Sequence, residues 1–296
     1  MQERGPLINP YIAILMAVLA AAFSSIFTKL STAPPLAIAF YRLLFTVLMI
    51  APLSINKKGL RELAGIGSRD LLMALLSGFF LAAHFAVWIT SLSYTSISSS
   101  TVLVTMQPLF VIAGGILFLG EKIRRAGLAG AALSLAGSML IGINDFKVGG
   151  MALYGDLLAF SGAVFVAAYF LIGRNLRGKL SLFTYVFLVY GTSAVVLLCF
   201  NLLAGSPLYP YPAADWVWFA ALALVPTIFG HTVFNWALKY VKAAVVSVSV
   251  LGEPVGATML AYFIFGQAPT VLQVAGGIVI ITGLYIFIRS SFNESG

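Results

Sequence analysis

Cysteine occurs once, at Cys199, and histidine twice, at His84 and His231. A single thiol excludes an internal disulfide framework and any multi-cysteine metal site. With so few acids and no second nearby ligand type, a His–His metal site is not expected either. Charge is scarce: Asp, Glu, Lys and Arg make up 9% of the 296 residues, against roughly 25% in a soluble domain. So thinly charged a chain could not coat a water-facing sphere, and a sizeable soluble catalytic domain is excluded. Missing too are an HExxH, a GxSxG, a paired-acid motif and a P-loop. Their absence argues against an intramembrane hydrolase or lipid transferase and against ATP-driven work by this chain alone.

What the chain has is apolar length: 61% of its residues are hydrophobic and its mean hydropathy is +1.03. A bilayer-crossing helix needs about 20 such residues. Apolar runs between charge clusters and Gly/Pro punctuation predict ten: about Tyr11–Lys29, Leu36–Ser54, Asp70–Leu92, Ile97–Leu119 and Ala126–Ile143, then Met151–Gly173, Ser181–Leu203, Ala214–Leu238, Ala243–Phe265 and Thr270–Ile288. The first run is too long, with only Arg4 before it, to read as a cleaved leader. The net charge of +8 would suggest nucleic acid in a soluble protein. Here the basic residues fall between the runs and on alternate sides. One side collects Arg4, Lys57, Lys58, Arg61, Arg69, Lys122, Arg124, Arg125, Arg174, Arg177, Lys179, Lys239, Lys242 and Arg289; the other has Lys29 and Lys147. That asymmetry predicts cytoplasmic termini.

Laid on itself at an offset of 146 residues, the chain repeats. Gln107-Pro108 falls on Glu253-Pro254, Tyr94 on Tyr240, Thr101 on Ser247, Val104 on Val250, Gly120 on Gly266, Ala129-Gly130 on Ala275-Gly276 and Gly137 on Gly283. Each copy holds five spans, an odd number, so the second enters the membrane upside down. The expected fold is an all-α integral membrane protein of ten transmembrane helices in two inverted five-helix repeats, residues 1–147 and 148–296, forming one membrane domain. The run SYTSISSSTVLVTMQPLF…FLGEK and its partner LKYVKAAVVSVSVLGEPVG…IFGQ, each followed by a glycine-spaced closing helix, resemble the EamA-type branch of the drug/metabolite transporter superfamily. Within it, His84 and Trp88 on the third span look most like bacterial aromatic amino-acid exporters. One departure is Gln267, where the family usually keeps the Glu of its "GE" turn, so an acid is not expected to be essential there.

Candidate site residues are the polar groups placed deep in apolar runs. Glu253, the one acid near the middle of a span, is placed to bind a coupling proton or a substrate amine, or to satisfy backbone freed by Pro254. Pro108 and Pro254, the latter flanked by Gly252, stand at matching depths where helices should kink and gate, or merely pack. His84 lies about 21 Å along its helix from Asp70, and Trp88 shares its face; together they suit an amphipathic aromatic ligand, or a packed histidine and an interfacial anchor. Asn235 shares a face with His231. Ser100 and Gln107 recur at helical spacing, to line a wet cavity or, for the hydroxyl, to glue helices or bond backbone, while Tyr169 belongs to an aromatic stripe that either packs or lines it. Arg42, a few turns inside the second span, is expected to snorkel to the surface, then to form a structural ion pair, with substrate contact the third reading.

The resemblance implies a carrier that exports amino acids, aromatic or otherwise hydrophobic, across a bacterial inner membrane by alternating access. The scarcity of intramembrane acids favours facilitated diffusion; proton-coupled efflux of another metabolite or drug is the alternative, and a passive channel or scaffold a third reading. The expected partners are a small-molecule substrate and the lipid bilayer. No cofactor and no nucleic acid are expected, and the chain should act as a monomer or weak oligomer.

Overall fold

The computed structural model describes residue 6, residues 8–142 and residues 150–292. Arg4, Lys147 and the expected boundary between the halves lie outside them. Among the described residues the regular structure is helical. Ten helices are long and apolar enough to cross a bilayer: Pro10–Leu30, Pro35–Ser54, Ser68–Ser91, Ile97–Leu119, Arg125–Gly142, Gly150–Arg177, Leu182–Leu203, Ala213–Ala237, Ala243–Phe265 and Val271–Ser291. We call these the first to tenth spans.

Three spans are interrupted, each at a proline. The fourth divides into Ile97–Val104 and Gln107–Leu119. The ninth divides into Ala243–Ser249, a tight turn Val250–Gly252, and Glu253–Phe265. Pro108 and Pro254 lack the N–H that would bond the carbonyl four residues earlier, so both helices restart at the same place in the repeat. The eighth span, expected to be continuous, widens into a π-helix over Ala223–Thr232 around Pro226. Pro226 cannot donate to Leu222, and the Thr227 hydroxyl does so instead at 2.8 Å.

A short helix, Lys57–Ala64, follows the second span and has no counterpart among the expected elements. Asn56 caps it, and Glu62 pins it to the start of the seventh span by accepting from Ser181 N and Thr184 Oγ1 at 2.6 and 2.8 Å. Burial raises the Glu62 pKa, but these bonds and the nearby Lys58 charge outweigh it and hold the carboxyl below its ordinary value. The contact therefore stabilises above the carboxylate range and is lost as pH falls through the lowered pKa.

The packing carries the two-fold relation. A Cβ on Gly130 would lie 2.7 Å from Gly283 O, and one on Gly137 would lie 2.7 Å from Gly276 O. The fifth and tenth spans thus run antiparallel with their backbones in contact. Applying the offset turns the pair 130/283 into 276/137, so the axis passes between these two helices. The other contacts obey it too: third on sixth with eighth on first, fourth on sixth with ninth on first, third on seventh with eighth on second.

Gly137→Ala should cost about 1–3 kcal/mol by overpacking the seam, read as a lower melting temperature in detergent. Gly191→Ala, where a Cβ meets nothing within 4 Å, should melt at or above the wild type. Equal melting of both variants would remove the seam's role.

Candidate functional site

At the centre of the bundle lies a cavity of about 40 Å³, room for one or two waters. Its walls come largely in repeat-related pairs: Ser24 with Phe170, Phe85 with His231, Trp88 with Phe234, Val104 with Val250, and Gln107 with Glu253. The pseudo-axis therefore runs through it. The polar character comes from pairs whose members differ, and from Arg42 and His84, whose mates by the offset are Leu188 and Gly230.

Arg42 overturns the expectation that it snorkels. It is fully buried and points inward, with its guanidinium 4.1 Å above the Phe85 ring. Nε donates to Thr227 Oγ1 and Nη1 to Ser24 Oγ, both at 2.7 Å; Nη2 has no partner among the described residues. The hydroxyls of the first and eighth spans hold the fork inward, so the side chain never turns toward the surface. The structural ion pair is absent as well: Arg42 and Glu253 share the cavity, but no salt bridge joins them among the described residues.

Of the expected site residues, His84, Trp88, Gln107 and Glu253 line the cavity. His84 Nδ1 donates to Gly162 O at 3.0 Å, and its ring lies nearly parallel to Trp88, 6.1 Å between centroids. Trp88 Nε1, Gln107 Oε1 and His231 Nδ1 are buried without a partner among the described residues. Ser100, Tyr169 and Asn235 stand outside the cavity in this state, because each is turned to a protein partner. Ser100 bonds Ser91 at 2.6 Å, and Asn235 Nδ2 donates to the Tyr169 hydroxyl. Arg42, Thr227, Pro226 and His231 were missed or ranked low. The signals were there: a basic residue deep in an apolar run, a Pro-Thr pair in another, and a histidine one position from the repeat mate of His84.

The two ends of the bundle differ. At the end away from the basic connectors a larger cavity of about 450 Å³ lies between the first, fourth, fifth, ninth and tenth spans and the loop between the last two, with Lys29, Gln267 and Ala268 exposed on it. Pro254 lines this vestibule while Glu253 lines the central cavity, and Thr101 and Thr105 are divided in the same way. The basic end carries a pocket of about 320 Å³ on its rim, between the start of the fifth span and the end of the tenth, but is bonded shut where the ninth span begins. There Glu121 accepts from Ala243 N at 2.9 Å and Ala244 N at 3.5 Å, the first amides of the ninth span, and pairs with Arg174 Nε at 3.5 Å. Arg174 also donates to Leu238 O, and Arg177 to Asn235 O and Leu180 O. Between this seal and the central cavity sits a layer of buried tyrosines: Tyr169 on Asn235, Tyr190 on Thr232 and Tyr185 on Ser77.

Comparison with known proteins fits this geometry. The sequence profile of the EamA-like transporter family matches twice, over residues 8–143 and 153–289. The chain belongs to the EamA-like transporter family. A protein of Archaeoglobus fulgidus named an uncharacterized transporter is 26% identical over 274 residues, 93% of this chain and 94% of the relative. A pseudopaline exporter, CntI, of Pseudomonas aeruginosa is 23% identical over 282 residues, 94% of this chain and 96% of its own. A solved crystal structure superposes with a TM-score of 0.75 at 18% identity, covering 94% of this chain and 98% of that one, which shows the fold alone.

In this EamA-like transporter the seal at the basic end is a charged cap on a helix start, where orphan amides and the helix dipole favour an anion. Glu121→Ala should therefore loosen that end. With Cys199 replaced, a cysteine at the fully buried Val246 should react at least ten times faster with a maleimide when Glu121 is Ala. Unchanged labelling would show that the seal does not depend on Glu121.

Proposed function

We propose that this EamA-like transporter moves amino acids or amino-acid-like metabolites through the bilayer by alternating access, outward from the side that its basic connectors face. That side is taken as the cytoplasm of a bacterial inner membrane, on the charge asymmetry. The observation that carries the reading is the central cavity on the pseudo-axis, closed off by a bonded end on one side and bordered by a vestibule on the other. Such a frame exchanges its two ends when the repeats exchange conformations. The stacked His84 and Trp88 suit an aromatic or otherwise hydrophobic side chain with a polar end. The relatives' names lend no support to a restriction to aromatic amino acids, so that narrower cargo rests on this pair.

The breaks before Pro108 and Pro254 are taken as the hinges, with Gly252 beside the second. We favour facilitated diffusion: Glu253 is the one acid lining the central cavity, and its repeat mate is the neutral Gln107. One observation favours the coupled alternative. Five of the six described acids have side chains bonded within the protein, Glu62, Asp70, Glu121, Asp156 and Asp215, and Glu253 alone has no side-chain hydrogen bond among the described residues.

Proteoliposomes screened across the amino acids should show saturable flux, accelerated by unlabelled substrate on the far side, with no imposed pH gradient. Flux without such acceleration would make the protein a channel. His84→Ala and Trp88→Ala should each lower flux of hydrophobic amino acids about ten-fold, consistent with loss of orienting contacts in a buried site. Pro254→Ala should lower turnover more than binding, because a conformational step becomes limiting. Glu253→Gln should keep substantial flux; uphill accumulation driven by a pH gradient and abolished by Glu253→Gln would reverse the choice of mechanism.

A further inference from the structure

Arg42 is held in a way that a purely structural arginine would not be. A guanidinium carries five N–H groups, and here two are used, on the neutral hydroxyls of Thr227 and Ser24. Of the rest of the guanidinium, Nη2 is buried without a protein partner among the described residues. The acid sharing the cavity, Glu253, forms no salt bridge with it. The carrier thus keeps a preorganised, desolvated cationic fork with its outer edge unfilled, and fork geometry matches a carboxylate bidentately.

We infer that Arg42 is the anchor for a carboxylate group of the cargo, an assignment that rests on the carrier reading and names the class of cargo. Two other unpartnered groups of the lining and the Glu253 carboxyl sort by role around it, while His231 Nδ1 donates or accepts according to its tautomer. Trp88 Nε1 is a second donor for the same anion, while Gln107 Oε1 and the Glu253 carboxylate are acceptors for a donor such as an ammonium. A cavity with one basic and one acidic side chain on its walls suits a cargo that carries both a carboxylate and an amine. A dianion such as phosphate would leave its second charge facing Glu253. The fork's aim depends on Pro226, since the defect it creates orients the Thr227 hydroxyl: that hydroxyl donates to Leu222 O and so presents its lone pair to Arg42 Nε.

The test uses pairs that differ in the carboxylate alone: L-leucine with 3-methylbutylamine, and L-phenylalanine with 2-phenylethylamine. Equilibrium binding to the full chain in nanodiscs is read by tryptophan fluorescence, with inorganic phosphate as a competitor. At least one acid should bind ten-fold or more tighter than its amine. Arg42→Gln should bring that acid down to the amine's affinity, and Arg42→Lys should fall between. Thr227→Val, which keeps the charge and removes a prop, should weaken the acid several-fold while barely moving the amine, and covers the case in which Arg42→Gln does not fold. If no acid outbinds its amine, or if Arg42→Gln keeps the preference, the anchor is overturned. Displacement by phosphate at the acid's own concentration range would overturn the carboxylate assignment. Saturable, trans-accelerated flux of the amines in proteoliposomes would leave the carrier reading standing while the anchor falls.

Discussion

A guanidinium buried in the middle of ten apolar helices is the constraint around which the bundle is arranged. Placing an arginine at the centre of a membrane helix costs about 3 kcal/mol on insertion scales, and no salt bridge to Arg42 among the described residues offsets it. The protein holds it instead with dipoles and a ring face from three other helices: Ser24 on the first span, Phe85 on the third and Thr227 on the eighth. These supports fix how the first, second, third and eighth spans rotate relative to one another. They also require the π-segment, because in a regular helix the Thr227 hydroxyl would have no reason to reach back five residues to Leu222 O. A π-segment inside an α-helix is a common mark of a functional position, and here its cause is a single proline.

The frame is symmetric and the chemistry is not. By the offset, the mates of Arg42, Ser24 and Thr227 are Leu188, Phe170 and Leu81, so one half builds the fork and the other offers apolar bulk. The same split appears across the cavity, where Glu253 opposes Gln107 and His231 opposes Phe85. A symmetric frame allows two interchangeable end states. The asymmetric lining makes the two sides of the cavity chemically distinct, because Arg42 and Glu253 each occur once on it.

This division explains what could be read in advance. The ten spans, the offset, the paired prolines and the glycine seam are repeated or periodic features, and periodicity survives in a single sequence. Arg42 is neither repeated nor periodic. Its depth in the run is legible, but the rotation of its helix is not, and a long side chain a few turns from an end reaches the surface as easily as the core until the hydroxyls that hold it are known. Ser100, Tyr169 and Asn235 fail to reach the cavity for a related reason. Helical spacing gives the face on which a residue lies, whereas the partner that claims its polar atom comes from another helix: Ser91, nine residues back across a turn, for Ser100, and Asn235, 66 residues on, for Tyr169.

The asymmetry extends to the gates. At the basic end the carboxylate of Glu121 caps the first amides of the ninth span and pairs with Arg174. The offset carries Glu121 to Gln267, Arg174 to Thr28 and Ala243 to Ile97. Closing the opposite end by the same contact would set a neutral amide against the first amides of the fourth span, with no guanidinium behind it. There it would also compete with Ser96, whose hydroxyl already accepts from Ser99 N at 3.0 Å. Charge-assisted hydrogen bonds are roughly twice as strong as neutral ones, so the seal at the basic end is the stronger of the two. An equilibrium between two otherwise equivalent shapes shifts by the difference in contacts each one makes. Under the alternating-access reading proposed above, the inequality between Glu121 and Gln267 would tilt the empty carrier toward the shape with its basic end shut. A cargo whose carboxylate settles on Arg42 and whose ammonium settles on Glu253 brings together the second and ninth spans, and Glu253 lies on the far side of the Val250–Gly252 turn from the amides that Glu121 caps. Filling the cavity thus acts on the same helix that the gate holds, and the break at Pro254 is where the two influences meet.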